Sequence, residues 1–175
     1  MSCPQRSYTP ATDIYAAGMT LYRLVNGDKY LPFVPPPMIA ALVAAGKYPR
    51  RSEYREFVPR PIRTLINKAI SVDPRQRFSS AEEMRHALEQ ITINMNWDER
   101  VLADGTQWIS GWNDHCYEVV RRRTRLGHWE ITVRKGHSKQ TLRRMERFCL
   151  TTADRKIAER HTRRVLQDFV LGRCR

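Results

Sequence analysis

Ten basic side chains between positions 121 and 147 are the residues whose type and spacing could do chemistry. Arg121, Arg122, Arg123 and Arg125 come first, then Arg134, Lys135, Lys139, Arg143, Arg144 and Arg147. Guanidinium and ammonium groups bind phosphate or carboxylate oxygens; they do not by themselves break bonds. If the turn after Arg125 and the start of the segment after Gly136 come together, the ten make one basic patch. Such a patch suits nucleic-acid phosphates, held without much sequence preference and weakened by salt, or an acidic protein surface. A merely solvated basic face is the plain alternative. Trp108, Trp112 and Trp129 could stack bases beside it, although core packing is the commoner use of tryptophan.

Other constellations carry less. His115, Cys116, His128, His137 and Cys149 lack the paired spacings of a zinc site, so no metal is expected. No strand-turn-helix nucleophile motif is present, and Ser110-Gly111 reads as a turn. Asp98 and Glu99 are neighbours in sequence, so their carboxylates need not converge. No cofactor is expected.

These cations need elements to hold them. Asp104-Gly105 signals a tight turn before a strand over Trp108–Trp112. His115–Arg123 alternates, with Tyr117, Val119 and Arg121 on one side and Glu118, Val120 and Arg122 on the other. His128–Arg134 alternates too, with Trp129, Ile131 and Val133 inward. The spacing of Leu142, Met145, Phe148 and Cys149 predicts a helix over Ser138–Leu150. A final helix follows, capped by Thr152, with Asp154 in its first turn and Ile157, Ala158, Val165, Leu166, Phe169 and Val170 inward. Three or four antiparallel strands and two helices are expected. The order helix, three strands, helix is also that of double-stranded-RNA-binding domains, a similarity of order alone.

The 96 residues before this region read as helices joined by proline-punctuated loops. Thr9-Pro10 opens an apolar helix that Asn26-Gly27 stops. Leu31–Pro37 is an extended loop and Met38–Ala45 a short helix. Pro59-Arg60-Pro61 starts another, with Ile62, Leu65, Ile66, Ala69 and Ile70 inward. Ser79-Ser80-Ala81-Glu82 reads as a capping box, Ser79 to Glu82, opening a helix through Ile91.

Composition sets the outer limits. The chain has 175 residues, 41% hydrophobic and 28% charged, enough for one domain or two small ones. Lys and Arg number 31 against 18 Asp and Glu, a net charge of +13. Residues 97–175 carry 18 basic and 10 acidic side chains, and all ten prolines precede position 75. This shift places a domain boundary near Asn94–Trp97, giving units 1–95 and 96–175. No run of 18 apolar residues exists, so a membrane span is not expected. Met1–Arg6 lacks the apolar segment of a secretory signal, and Cys3, Cys116, Cys149 and Cys174 form no disulfide pattern. A cytoplasmic location is expected.

In the first half, Thr12-Asp13-Ile14-Tyr15-Ala16-Ala17-Gly18-Met19-Thr20-Leu21-Tyr22 resembles the central helix of the C-terminal lobe of bacterial serine/threonine protein kinases. Asp73-Pro74-Arg75-Gln76-Arg77-Phe78 resembles that lobe's Asp-Pro-x-x-Arg-Phe segment, and Pro61–Ile70 the helix between. The resemblance covers about residues 8–92. It implies structural roles for Asp13, Gly18 and Arg77. Asp13 matches the helix aspartate that braces the catalytic loop, and Arg77 the arginine that pairs with a glutamate. At that glutamate's place stands Gln5, in a shortened version of the family's Pro-Glu segment.

The family's glycine-rich loop, nucleotide lysine, catalytic-loop Asp and Asn, and Asp-Phe-Gly are all absent from these 175 residues. No enzyme activity is expected. With the catalytic loop gone, Ile14, Met19 and Tyr22 are expected to form an exposed patch wanting a partner. The expected fold class is α+β: a helical kinase C-lobe-like part followed by a small antiparallel sheet plus two helices. The expected function is non-catalytic binding, as a pseudokinase-like adaptor, regulator or inhibitor. A bacterial or mobile genetic element is a plausible setting, and a homodimer through the helical lobe is one form of partnership. The alternatives are nucleic-acid binding through Arg121–Arg147 and the C-terminal piece of a split kinase.

Overall fold

Pro10 opens the first helix, where its missing N–H costs nothing. The structure is a computed structural model and describes residues 9–174; the segment holding Cys3 and Gln5 lies outside them. Helix α1 spans Pro10–Asn26, α2 Pro36–Ala44, α3 Arg60–Ala69 and α4 Ala81–Glu89. Strands β1 (Asp98–Leu102), β2 (Gly105–Trp112), β3 (His115–Arg123), β4 (Trp129–Gly136), β5 (Arg143–Arg144) and β6 (Leu150–Thr152) follow, then α5 (Arg155–Val170). The fold class is α+β, helices first and an antiparallel sheet after. The chain divides into two compact units at Ile91/Thr92.

In the helical unit α1 buries a single column, Ile14, Gly18, Tyr22 and Asn26, each one turn from the next. This corrects the expectation of an exposed patch: Ile14 is 3% exposed and Tyr22 0%, packed with Leu65, Ile66, Ala69, Ile70, Phe78 and Met84. The exposed side of α1 carries Ala16, Ala17, Thr20 and Leu24 instead. Gly18 is required by close approach. A Cβ there would lie 2.7 Å from both Ala69 Cβ and Ile70 Cγ2, so α1 and α3 touch through it. The Tyr22 hydroxyl donates to the carbonyls of Glu53 (2.9 Å) and Arg50 (3.2 Å), and burial pushes its pKa up to about 12. Helix α2 takes Pro36 and Pro37 into its first turn, two residues earlier than the extended loop was expected to end.

The capping box of α4 is shifted by one residue from its expected register. Ser80 caps, its hydroxyl accepting from the Glu83 N–H at 3.1 Å. The Glu83 carboxylate reaches back to the Ser79 N–H at 2.6 Å and to Lys68 Nζ at 2.7 Å. The Lys68 contact favours Glu83 over Glu82 for this role, because only Glu83 also meets α3.

The second unit is a six-stranded antiparallel sheet ordered β1-β2-β3-β4-β5, with β6 pairing the same edge of β4 as β5. Asn113 and Asp114, at φ 47° and 57°, make the two-residue turn between β2 and β3. Ser110-Gly111 is therefore strand, not turn. One face, with Trp108, Val119 and Val133 in register, packs under Ala158, Val165, Leu166 and Phe169 of α5. Asp154 caps α5, accepting from the N–H groups of Lys156 (2.7 Å) and Ile157 (3.2 Å), while Thr152 only holds the Asp154 N–H.

The helix expected over Ser138–Leu150 is not formed. Two 3₁₀ turns, Lys139–Thr141 and Glu146–Phe148, alternate with β5 and the start of β6. The open edge of β4 explains this, since unpaired strand groups need partners. β5 pairs with Arg134 and Lys135, β6 with Trp129–Ile131, and the Met145 N–H fills the gap by donating to Val133 at 2.8 Å. One helix, not two, follows the sheet. No helix precedes it within its unit, so the double-stranded-RNA-binding order does not hold.

Candidate binding surface

Cross-strand register decides where each cation points. On β3, Arg121 and Arg123 share the α5-covered face and Arg122 the opposite one. On β4 and β5, Lys135 stands opposite Arg143 on the first face, and Arg134 opposite Arg144 on the second.

Arg121 does not belong to a solvent-facing patch: it is 8% exposed, with its guanidinium 5.3 Å from the ring centre of the fully buried Trp108. Three others meet carboxylates. Arg134 pairs with Glu118 at 2.8 Å, and Gln107 holds the other Glu118 oxygen at 2.7 Å. Arg144 lies 3.1 Å from Glu146 and 3.9 Å from Glu130, and Arg122 4.0 Å from Asp104. Arg147 sits over the Phe148 ring at 4.5 Å.

The remaining cations fall at two ends. Arg123 and Arg125 are exposed at the far end of β3; at the near end, beside His115, Arg143 is exposed and Lys135 half-buried. Six residues of β4 separate Lys135 from the row of Arg123, about 20 Å at the usual rise. Lys139 lines a small cavity of about 210 Å³ with Arg100, Gln107 and Glu118. The ten residues therefore do not converge.

At the near end His115, Lys135, His137, Thr141, Arg143 and Arg144 line a groove of about 540 Å³. The two imidazole rings lie 4.4 Å apart, and His115 Nδ1 donates to the Asn113 carbonyl at 2.7 Å. Sequence reasoning weighed these histidines only as metal ligands. Among the described residues no cluster of three or more His, Cys, Asp or Glu is placed to hold a metal.

A second set was missed outright. Lys156, Arg160 and Arg163 are exposed along one side of α5, with no carboxylate bonded among the described residues. Their neighbours Arg155 and Arg164 pair with Glu159 (2.7 Å) and Asp168 (3.7 Å), and Arg155 also reaches toward the Trp129 ring, at 5.9 Å. The signal lay in the sequence, since the gaps between the apolar positions of this helix hold cations at helical spacing.

Of the tryptophans, Trp97 and Trp108 are core: Trp97 Nε1 donates to the Leu166 carbonyl at 3.2 Å, and Trp108 Nε1 to Glu99 at 3.2 Å. Trp112 and Trp129 are partly exposed. Cys116, Cys149 and Cys174 are free thiols. No described helix is long and apolar enough to cross a membrane.

The residues of the kinase-like half are placed as follows. Asp13 is exposed in the first turn of α1. Arg77 donates from Nη1 to the Ala11 carbonyl (2.7 Å), from Nε to Ser71 (2.8 Å) and from Nη2 to Val72 (3.3 Å), with Tyr15's ring 4.8 Å away. Burial pulls its pKa below the ordinary arginine value, opposed by Tyr15 and Asp73.

Part of the chain is similar in sequence to serine/threonine kinases. It is 32% identical over 87 residues to ribosomal protein S6 kinase alpha-3 of Homo sapiens and of Mus musculus, covering 47% of this chain and 12% of each relative. It is 28% identical over 108 residues to serine/threonine-protein kinase PksC of Streptomyces coelicolor, covering 61% of this chain and 19% of that protein. It is 35% identical over 89 residues to serine/threonine-protein kinase PknD of Chlamydia trachomatis, 45% of this chain and 8% of that protein. The chain thus spans under a fifth of the length of these relatives. No family model matches, and no solved structure matches.

Proposed function

We propose that this chain is a non-catalytic binding protein: a kinase-derived helical scaffold, joined to a basic sheet module that engages an acidic protein as an adaptor or regulator. The observation that carries the reading is Arg77. In the resembling kinases this arginine meets a glutamate; here three carbonyls of its own unit and the Tyr15 ring hold it. The scaffold keeps its core with its arginine partnered internally. Phosphoryl transfer is positioning plus charge stabilisation, and the 175 residues contain none of the motifs that supply either. What the scaffold still offers is surface.

A second reading, nucleic-acid binding, is favoured by one observation: the stripe Lys156, Arg160, Arg163 on α5 carries charge not already neutralised. Cations in a line suit a phosphate backbone.

One experiment separates them. The full chain is used as bait in an extract of its source cells, with and without nuclease. Retention of one stoichiometric acidic protein after nuclease treatment, reproduced with that protein purified, supports the first reading. Loss of all capture on nuclease treatment, with salt-steep binding to oligonucleotides, transfers support to the second.

A further inference from the structure

We propose that the groove at the His115 end of the sheet is a phosphate site, and that it takes a phosphorylated side chain of the protein partner. This names the partner chemistry of the binding reading above and rests on that reading.

The sheet places two like-charged pairs directly across from each other, Arg134 with Arg144 and Lys135 with Arg143. Like charges at opposed positions destabilise a sheet. The first pair is relieved by Glu118, Glu130 and Glu146. The second has no carboxylate in bonding range among the described residues; Lys135 has only the Tyr117 ring, 5.4 Å from its ammonium. Two imidazoles stand beside it, and no acidic residue lines the groove. An anion seated there removes a repulsion that the fold otherwise keeps. The Arg143 guanidinium can take two phosphate oxygens in a fork and Lys135 a third. The His115 and His137 rings line the groove beside these two cations.

Size and surroundings choose the carrier. At about 540 Å³ the groove holds more than a free phosphate and fits a phosphate borne on a larger group. A nucleic-acid backbone needs cations that continue. On the opposite face of the sheet Arg134 and Arg144 already meet Glu118, Glu130 and Glu146, the adjoining cavity that Lys139 and Arg100 line also has Glu118 in its wall, and Arg123 stands about 20 Å off along the sheet. A single phosphate is accommodated there, and the sheet offers no unbroken row of cations for a track of them.

The test follows the ring signals of His115 and His137 by NMR in the full chain. It is titrated with a short phosphoserine peptide, the same peptide without phosphate, inorganic phosphate, and a single-stranded oligonucleotide. Both histidines are expected to shift saturably with the phosphopeptide. Its affinity should fall about tenfold in Arg143→Gln, the loss of one charge-assisted contact, and be unchanged in Lys156→Gln. Arg143 is exposed on a two-residue edge strand, and an unchanged thermal midpoint checks that the variant is folded. Equal binding of the unphosphorylated peptide overturns the phosphate assignment while leaving the binding reading intact. An oligonucleotide that moves these signals as strongly overturns the protein carrier. No saturable shift with phosphopeptide or inorganic phosphate overturns the site, and the binding reading then stands or falls on the nuclease-treated capture.

Discussion

Arg77 and Ala11, sixty-six positions apart, are joined by a 2.7 Å hydrogen bond from the guanidinium to the backbone carbonyl. The bond ties the loop before α4 to the first turn of α1. Two more carbonyls complete the set, so a side chain whose kinase counterpart answers to a carboxylate here answers to the backbone of its own unit.

Replacing it should loosen that unit. Arg77→Gln keeps some polarity but cannot reach three carbonyls at once. With charged hydrogen bonds contributing about 1.5–3 kcal/mol each at most and partial exposure reducing that, a total loss of about 2 kcal/mol is expected. Urea unfolding followed by far-UV circular dichroism measures it. An unchanged midpoint would show that the three contacts add nothing.

Gly18 and Gly111 make a matched pair. Gly18→Ala gains about 1 kcal/mol of helix propensity but drives a Cβ to 2.7 Å from Ala69 and Ile70, at about 1–3 kcal/mol. Net destabilisation is expected. Gly111→Ala, with nothing within 4 Å of its Cβ, should be neutral or stabilising by about 0.5 kcal/mol. Thermal midpoints of the two variants should move in different directions from wild type, or Gly18's alone should move.

The acid limb of stability depends on Glu83. The Lys68 ammonium, then the Ser79 N–H and hydroxyl, lower its pKa from 4.5 to about 2. A carboxyl with a depressed folded pKa stabilises the fold above its unfolded value and loses that contribution as pH falls. The loss should run from about pH 4.5 down to 2. In Glu83→Gln the urea midpoint should fall less steeply across that window; identical slopes would contradict the assignment.

Arg121 should behave as a core residue despite its charge. Arg121→Ala removes a buried stem and the guanidinium over Trp108, costing about 2 kcal/mol. Tryptophan fluorescence and urea midpoints should change while the salt dependence of anion binding does not. A flattened salt slope with unchanged stability would return Arg121 to the surface.

Many local signals in the sequence were sound, though Ser110-Gly111 is strand rather than turn and Asp154 rather than Thr152 caps α5; most other misses turned on non-local contacts. Pro10, Gly27 and the inward set Leu65, Ile66, Ala69 and Ile70 stand where spacing and turn chemistry put them. The α4 box slipped by one because Ser79-Ser80 and Glu82-Glu83 permit two registers, and only the contact with Lys68, a helix away, separates them. Leu142, Met145 and Phe148 are spaced as well for 3₁₀ turns as for a helix; the deciding influence was the open edge of β4. The cation cluster was counted as charges, whereas its sorting into buried, paired and free members needs cross-strand register. His115 and His137 meet only because β3 begins where β4 ends.

The most direct measurement is phosphate transfer by the purified chain alone, supplied with Mg²⁺ and ATP labelled on its terminal phosphate, with a basic protein as acceptor. No label should enter the acceptor or the chain, and no nucleotide should bind saturably. Label transferred in proportion to the chain, and copurifying with it through successive columns, would contradict the proposed non-catalytic binding role.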